Sequence, residues 1–274
     1  MTEALAGEVV PIKTSGDRAG AIGDKSRFVK EIEDALFAGE VDVAVHSAKD
    51  VPGDLPAGLV IAAVPLAEDP RDALVGAETL ASLPKGATVG TSSLRRRSQL
   101  LAIRSDLEVT ELRGNVDTRL GKLASGSYDA IVLALAGLRR LGREADAAGL
   151  LDAHDFVPAP GQGMLALEVR AGDERAAAAV APLDHEPSHR RLACERAVVG
   201  RLDASCHTPV GASSEITGGS LRAFAYAGLP DGSEWITDVI EGDAGDPAAV
   251  GELLAERMLS AGAAELLRRA STFP

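Results

Sequence analysis

With 274 residues, a formal net charge of -13 and a pI near 4.9, the chain is too long for one hydrophobic core and too acidic to present an extended nucleic-acid face. No apolar run approaches the length of a membrane span, and Met1 to Glu8 holds no basic segment followed by an apolar one, so neither a membrane-embedded nor an exported protein is expected. Two cysteines, Cys194 and Cys206, without an export signal predict reduced thiols and a cytoplasmic protein.

In chain order, Phe28, Val29, Ile32, Leu36 and Phe37 recur at helical spacing and stop at Gly39, which predicts an amphipathic helix. Val41 to His46 alternates and Leu59 to Val64 is continuously apolar, so both read as strands. A second unit starts near Asp69-Pro70-Arg71-Asp72. It contains a strand at Thr88 to Gly90, a helix capped by Thr91, Ser92 or Ser93, a strand from Leu107 to Leu112, a helix from Val116 to Ala124 and a strand from Ala130 to Leu135. Such alternation predicts a doubly wound parallel sheet. Gly163 to Val169 is a further strand that returns to the first domain. After Val210 the rhythm changes: Leu221 to Tyr226 and Trp235 to Ile240 flank Leu229-Pro230-Asp231-Gly232, a hairpin signal, and Pro247 to Ala270 reads as one helix. The last part is therefore a small α+β domain.

The chemistry concentrates at the strand ends. Thr91-Ser92-Ser93 opens a helix after a strand, so hydroxyls, free N–H groups and the positive helix end converge there. Arg95 and Arg96 occupy the first helical turn, where a cation is unfavourable unless an anion compensates it. Arg113-Gly114-Asn115 repeats the arrangement one strand later, with Arg119 reaching back, and Arg139 and Arg140 follow the next strand at Leu138. Guanidinium binds carboxylate bidentately, and three consecutive strand ends point to one crevice for a polycarboxylate ligand. His46-Ser47-Ala48-Lys49-Asp50-Val51-Pro52 ends a strand of the first domain and faces the same crevice. Asp50 there stabilises a developing cation or shuttles a proton, unless the segment is a turn with a surface ion pair. Cys206, in Leu202-Asp203-Ala204-Ser205-Cys206-His207-Thr208-Pro209, is either an inert thiol or a nucleophile whose pKa nearby arginines lower. Cys194 packs in a core. His185, His189 and His207 form no metal-ligand pattern, and no phosphate-loop or dinucleotide fingerprint is present.

Taken together, Val45 to Pro52, Glu68 to Asp72, Gly90 to Arg96, Leu112 to Leu120, Pro160 to Gly163, Arg190 to Ala197 and the turn around Cys206 resemble the hydroxymethylbilane synthase, or porphobilinogen deaminase, family. The resemblance implies a transferase of tetrapyrrole, and so heme, biosynthesis. Such an enzyme condenses four porphobilinogen molecules, with loss of ammonia, on a dipyrromethane cofactor, and water then releases linear hydroxymethylbilane. It implies covalent attachment of the dipyrromethane at Cys206 and a catalytic role for Asp50. Lys49, Ser47, Thr91, Ser93, Arg95, Arg96, Arg113, Gly114 and Arg119 would bind the cofactor, Arg140 and Phe28 the substrate, and no metal is expected. The implied fold is α/β: two domains like type II periplasmic binding proteins, 1–66 with 162–183 and 67–161, and a small α+β domain, 184–274. In the first, Val9 to Lys13 matches the second strand of the family, leaving that domain short of its N-terminal strand and helix. A monomer is expected, with porphobilinogen as partner and neither nucleic acid nor membrane. Two alternatives stay open: a noncatalytic two-lobed carboxylate-binding protein, and an N-terminally truncated, impaired member of the same family.

Overall fold

The computed structural model describes residues 7–12, 29–204 and 208–273. Three sheets organise them. In the first, β1 (Ala44–Ser47) and β2 (Leu59–Ala63) pair antiparallel with the strand between them, β8 (Leu165–Arg170), which arrives from the far side of the second sheet as the sequence predicts. Helix α1 (Lys30–Ala38) ends at Gly39 and buries Leu36 against Ala44 and Leu59. Residues 7–12, expected as a strand in part, are irregular, and Val9 and Val10 are 64% and 51% exposed.

The second sheet has the order β5-β4-β6-β3-β7, with β3 at Asp72–Val75, β4 at Thr88–Gly90, β5 at Glu108–Thr110, β6 at Ala130–Ala134 and β7 at Gly149–Leu150. It is mixed rather than all parallel. β4 is parallel to β5 and β6, and the crossovers that this requires run through α2 (Leu94–Ile103) and α3 (Val116–Ala124). β3 enters from the first sheet and runs antiparallel to β6 and β7. Both faces are covered, so the central strands are continuously apolar. Their side-chain alternation divides the core: Leu74 and Val132 meet Leu100 of α2 on one face, while Ala73, Val75, Ile131 and Leu133 meet Leu120 and Leu138 on the other. Leu138 belongs to a short helix, α4 (Leu135–Arg140), and Arg139 and Arg140 close that helix instead of following a strand end directly.

From β6 the chain passes through α4 and β7 to the segment Val157 to Met164, which returns it to β8. Polar groups along this segment are taken by several different neighbours. Val157 O accepts from Arg95 and Gln99, Pro158 O from Ala212 N–H, Gly163 O from Arg140, and Met164 O from Ala48 N–H. Gly161 donates to Glu195 and Gln162 to Asp72. Gly161 has φ 69°, and a Cβ there would lie 2.9 Å from the Ala48 Cβ and 3.1 Å from Leu192, so glycine is required by conformation and by space.

After α5 (Glu174–Val180) and α6 (Glu186–Arg201), the third sheet, β9 (Val210–Thr217), β10 (Ser220–Gly228) and β11 (Trp235–Asp243), is antiparallel with β10 central. The expected hairpin is present. Leu221, Ala223 and Ala225 face Cys194, Val198, Leu254 and Met258, while Phe224 and Tyr226 alternate to the opposite face and pack on Val157. The expected single C-terminal helix is two, α7 (Pro247–Ser260) and α8 (Ala263–Ser271), broken at Gly262 with φ 102°. Only glycine enters that left-handed conformation without strain, so the helix stops there.

Candidate active site

A cleft of about 390 Å³ lies where the three sheets meet. The 3-10 turn Ala48–Asp50 following β1 contributes Lys49 and Asp50, and the start of α2 contributes Ser93 and Arg95. The returning segment supplies Ala159 and Pro160, and α6 supplies Leu192 and Arg196. Beyond α6 the chain turns at Asp203, a non-glycine residue with φ 50°, a conformation aspartate tolerates better than most side chains. Asp203, Ala204 and Thr208 line the cleft, so the described residues on both sides of Cys206 face it. Cys206, His207 and Phe28 themselves lie outside the described residues.

At the start of α2, expected as an anion pocket, the N-cap is Ser93. Its Oγ accepts from Arg96 N–H, and Thr91 Oγ1 accepts from Ser93 N–H. The anion that Arg95 and Arg96 require, however, is internal. Asp72, fully buried at the start of β3, has one oxygen 2.8 Å from Arg95 Nη1 and the other accepting from Arg96 Nε and Nη2 at 3.0 and 2.7 Å. Burial would raise the Asp72 pKa, but the two guanidiniums outweigh it and hold the carboxyl well below its ordinary range. Arg96 spends its remaining Nη1 on Val132 O and does not line the cleft. Arg95 does line it, and its buried Nε has no hydrogen-bond partner.

The other predicted arginines do not converge on this space. Arg113 is exposed and pairs with Glu111, Arg119 Nε reaches back to Gly114 O, and Arg140 donates to Gly163 O. Burial and then the nearby Arg96 lower the Arg119 pKa. Ser47, exposed at the end of β1, and buried Thr91 sit beside lining residues without lining the cleft. Sequence reasoning missed Asp72, Arg196 and Glu195. Asp72 directly precedes the apolar run Ala73 to Val75, and a carboxylate on a buried strand calls for a cation. Glu195 falls at i+3 from Leu192, on the buried face of α6. It accepts from Gly161 N–H and Ser214 Oγ at 2.7 and 2.8 Å, and burial raises its pKa. Arg196 donates to Gly53 O, and burial lowers its pKa. Among the described residues, no group of three or more His, Cys, Asp or Glu side chains could hold a metal ion.

Two family models match the chain. One, "Porphobilinogen deaminase, dipyromethane cofactor binding domain", covers residues 1–178, and the other, "Porphobilinogen deaminase, C-terminal domain", covers residues 190–260. The chain belongs to the porphobilinogen deaminase family. The porphobilinogen deaminase of Roseiflexus castenholzii is 51% identical over 249 residues, 90% of this chain and 82% of the relative. That of Thermus thermophilus is 48% identical over 259 residues, 93% of this chain and 86% of the relative. Among solved structures, a TRAP periplasmic solute binding protein from Desulfovibrio salexigens aligns with TM-score 0.39 and 12% identity, over 58% of this chain and 59% of that one. The cofactor of the porphobilinogen deaminase family is dipyrromethane, and the cleft fits such a group: it has the volume of a small-molecule site, a lysine on its wall and a buried Arg95 donor still lacking an acceptor.

Proposed function

We propose that this chain is a hydroxymethylbilane synthase that condenses porphobilinogen, with loss of ammonia, on a dipyrromethane attached to Cys206 and releases linear hydroxymethylbilane. The observation that carries the reading is the single cleft shared by Asp50, Lys49, Ser93, Arg95 and both described neighbours of the cysteine segment, in a chain of this family. When bound, dipyrromethane supplies the pyrrole carbon to which the first substrate is joined.

The chain's own residues divide the remaining work. Lys49 and Arg95, with Ser93 at the helix start, neutralise and orient carboxylates, each charge-assisted bond being about twice as strong as a neutral one. Asp50, in the same wall, stabilises the positive charge that develops as the amine leaves and holds the proton displaced from the pyrrole. Ser47, Thr91, Arg96, Arg113, Gly114 and Arg119 are assigned to cofactor binding from the strand ends around the cleft, and Arg140 and Phe28 to substrate. For Arg113 and Arg140 this requires the side chain to leave its present partner. The domains are taken as 1–66 with 162–183, 67–161 and 184–274, each centred on one sheet. Among the described residues, no helix is long and apolar enough to cross a membrane, and two cysteines with no disulfide expected between them suit the cytoplasm.

Intact-protein mass spectrometry tests the reading. The purified chain should be heavier than its sequence by one dipyrromethane and should consume porphobilinogen, and Cys206→Ser should lose both properties. A chain of unmodified mass that binds porphobilinogen without consuming it would establish the noncatalytic binding protein instead.

A further inference from the structure

We propose that Asp72 is a positioning residue for carboxylate binding in the cleft: it fixes the guanidiniums of Arg95 and Arg96 and leaves the Nε–H of Arg95 as a buried donor for a ligand. The inference rests on the functional reading above and adds to it a residue that does not line the cleft.

Three observations carry it. First, the Asp72 carboxylate is held from two sides, by hydrogen bonds on one oxygen and by an ion pair on the other. One oxygen accepts from Arg96 twice and from Gln162 Nε2 at 2.9 Å, and the other sits 2.8 Å from Arg95 Nη1. Four contacts from three side chains leave it one orientation, and the arginines inherit that orientation through their planar forks.

Second, the charges do not balance. Arg95 and Arg96 are 4% and 6% exposed and share this one carboxylate, so the group keeps a surplus positive charge away from water. Arg119 stands close enough to Arg96 to feel its charge, which adds to the surplus. Unpaired buried charge is costly, and a carboxylate arriving through the cleft would relieve it. Third, the deficit has an address. Arg95 Nε is buried without a partner on a side chain that lines the cleft, whereas Arg96 has its Nε and both Nη groups bonded inside the protein. Asparagine at 72 would remove the charge and turn an amide N–H₂ toward one guanidinium, setting both arginines loose.

The probe is porphobilinogen itself, titrated calorimetrically into the Cys206→Ser chain so that covalent loading plays no part. Asp72→Asn in that background should weaken binding about tenfold or more, the worth of a hydrogen bond to a charged group. Arg95→Gln should do the same. Because Asp72 acts through Arg95, the double variant should bind within about twofold of Arg95→Gln alone. Losses that multiply, or unchanged affinity in Asp72→Asn, would overturn the proposal. Should Asp72→Asn not fold, Gln162→Met removes the uncharged donor from the same oxygen and should weaken binding a few fold, with unchanged affinity again overturning it. The mass of the wild-type chain decides the functional reading separately, so the two can fail independently.

Discussion

Ser98 joins the helix that carries Arg95 to the sheet that follows the cysteine segment, and its removal tests how firmly the cleft walls are held. Its Oγ lies 2.6 Å from both Leu229 O and the Tyr226 hydroxyl. A serine has one proton and a carbonyl can only accept, so Ser98 donates to Leu229 and Tyr226 donates to Ser98. Ser98→Ala therefore strips the Tyr226 hydroxyl of its acceptor in a place where burial pushes the Tyr226 pKa up to about 12. Leu229 O loses one donor and keeps Gly232 N–H. A stranded buried hydroxyl costs about 1 to 3 kcal/mol and a lost bond about 1, so the variant should lose about 2 to 4 kcal/mol. Tyr226→Phe leaves the Ser98 to Leu229 bond intact and should cost about 1 kcal/mol beyond its packing. The double variant strands no hydroxyl and should lose less than the sum of the two, with a coupling of about 1 kcal/mol or more. Urea unfolding followed by the fluorescence of the lone tryptophan, Trp235 at the start of β11, reads all three losses. A Ser98→Ala loss below about 0.5 kcal/mol, or strict additivity, would refute this account of the junction.

Asp50→Asn should keep the covalent cofactor by mass yet lower turnover about a hundredfold, since the carboxylate's charge serves the chemistry and not the attachment; undiminished turnover would remove Asp50 from the mechanism. Burial pushes the Cys194 thiol up to about 12, with Glu195 adding to it, so folded Cys206→Ser should resist iodoacetamide near pH 8 and react only after unfolding. Early alkylation would place Cys194 outside the core. Glu195 is a carboxyl whose pKa burial raises in the fold, so the folded chain holds its proton to higher pH than the unfolded one. Stability from this group is therefore lost as pH rises above the ordinary carboxyl value. Glu195→Gln lacks that loss, and its melting temperature should gain on wild type as the pH rises above the ordinary carboxyl value. Parallel melting curves across that range would show that Glu195 does not titrate in it.

Local signals were the ones the sequence carried well. The stop at Gly39, the helix from Val116 to Ala124, and the Asp231-Gly232 turn between β10 and β11 each depend on residues a few positions apart. The direction of β3 was not legible, because an apolar run looks the same whichever way its neighbours run. Nor was the partner of Arg95 and Arg96. The requirement for an anion could be stated from the helix start alone, but Asp72 is 24 residues from Arg96, and a short acid at the head of an apolar strand does not announce what it faces. The assumption that strand-end arginines converge failed at Arg113 and Arg140 for a related reason: nearby carboxylates and carbonyls compete for guanidinium, and Glu111 and Gly163 lie within reach. Gly262 stood in plain view, yet the apolar face continues past it, and periodicity hid the break.

The segment from Val157 to Met164 is fastened along its length to every neighbouring wall, through Arg95 and Gln99 at one end and Ala48 at the other. It therefore acts as a ruler: the gap between the aspartate turn and the arginine helix is set by covalent bond lengths rather than by how helices happen to pack. Substitutions in the surrounding helices that spare Arg95 and Gln99 should leave the width of the cleft unchanged. One residue inserted between Pro158 and Gly163 would move all the marks at once.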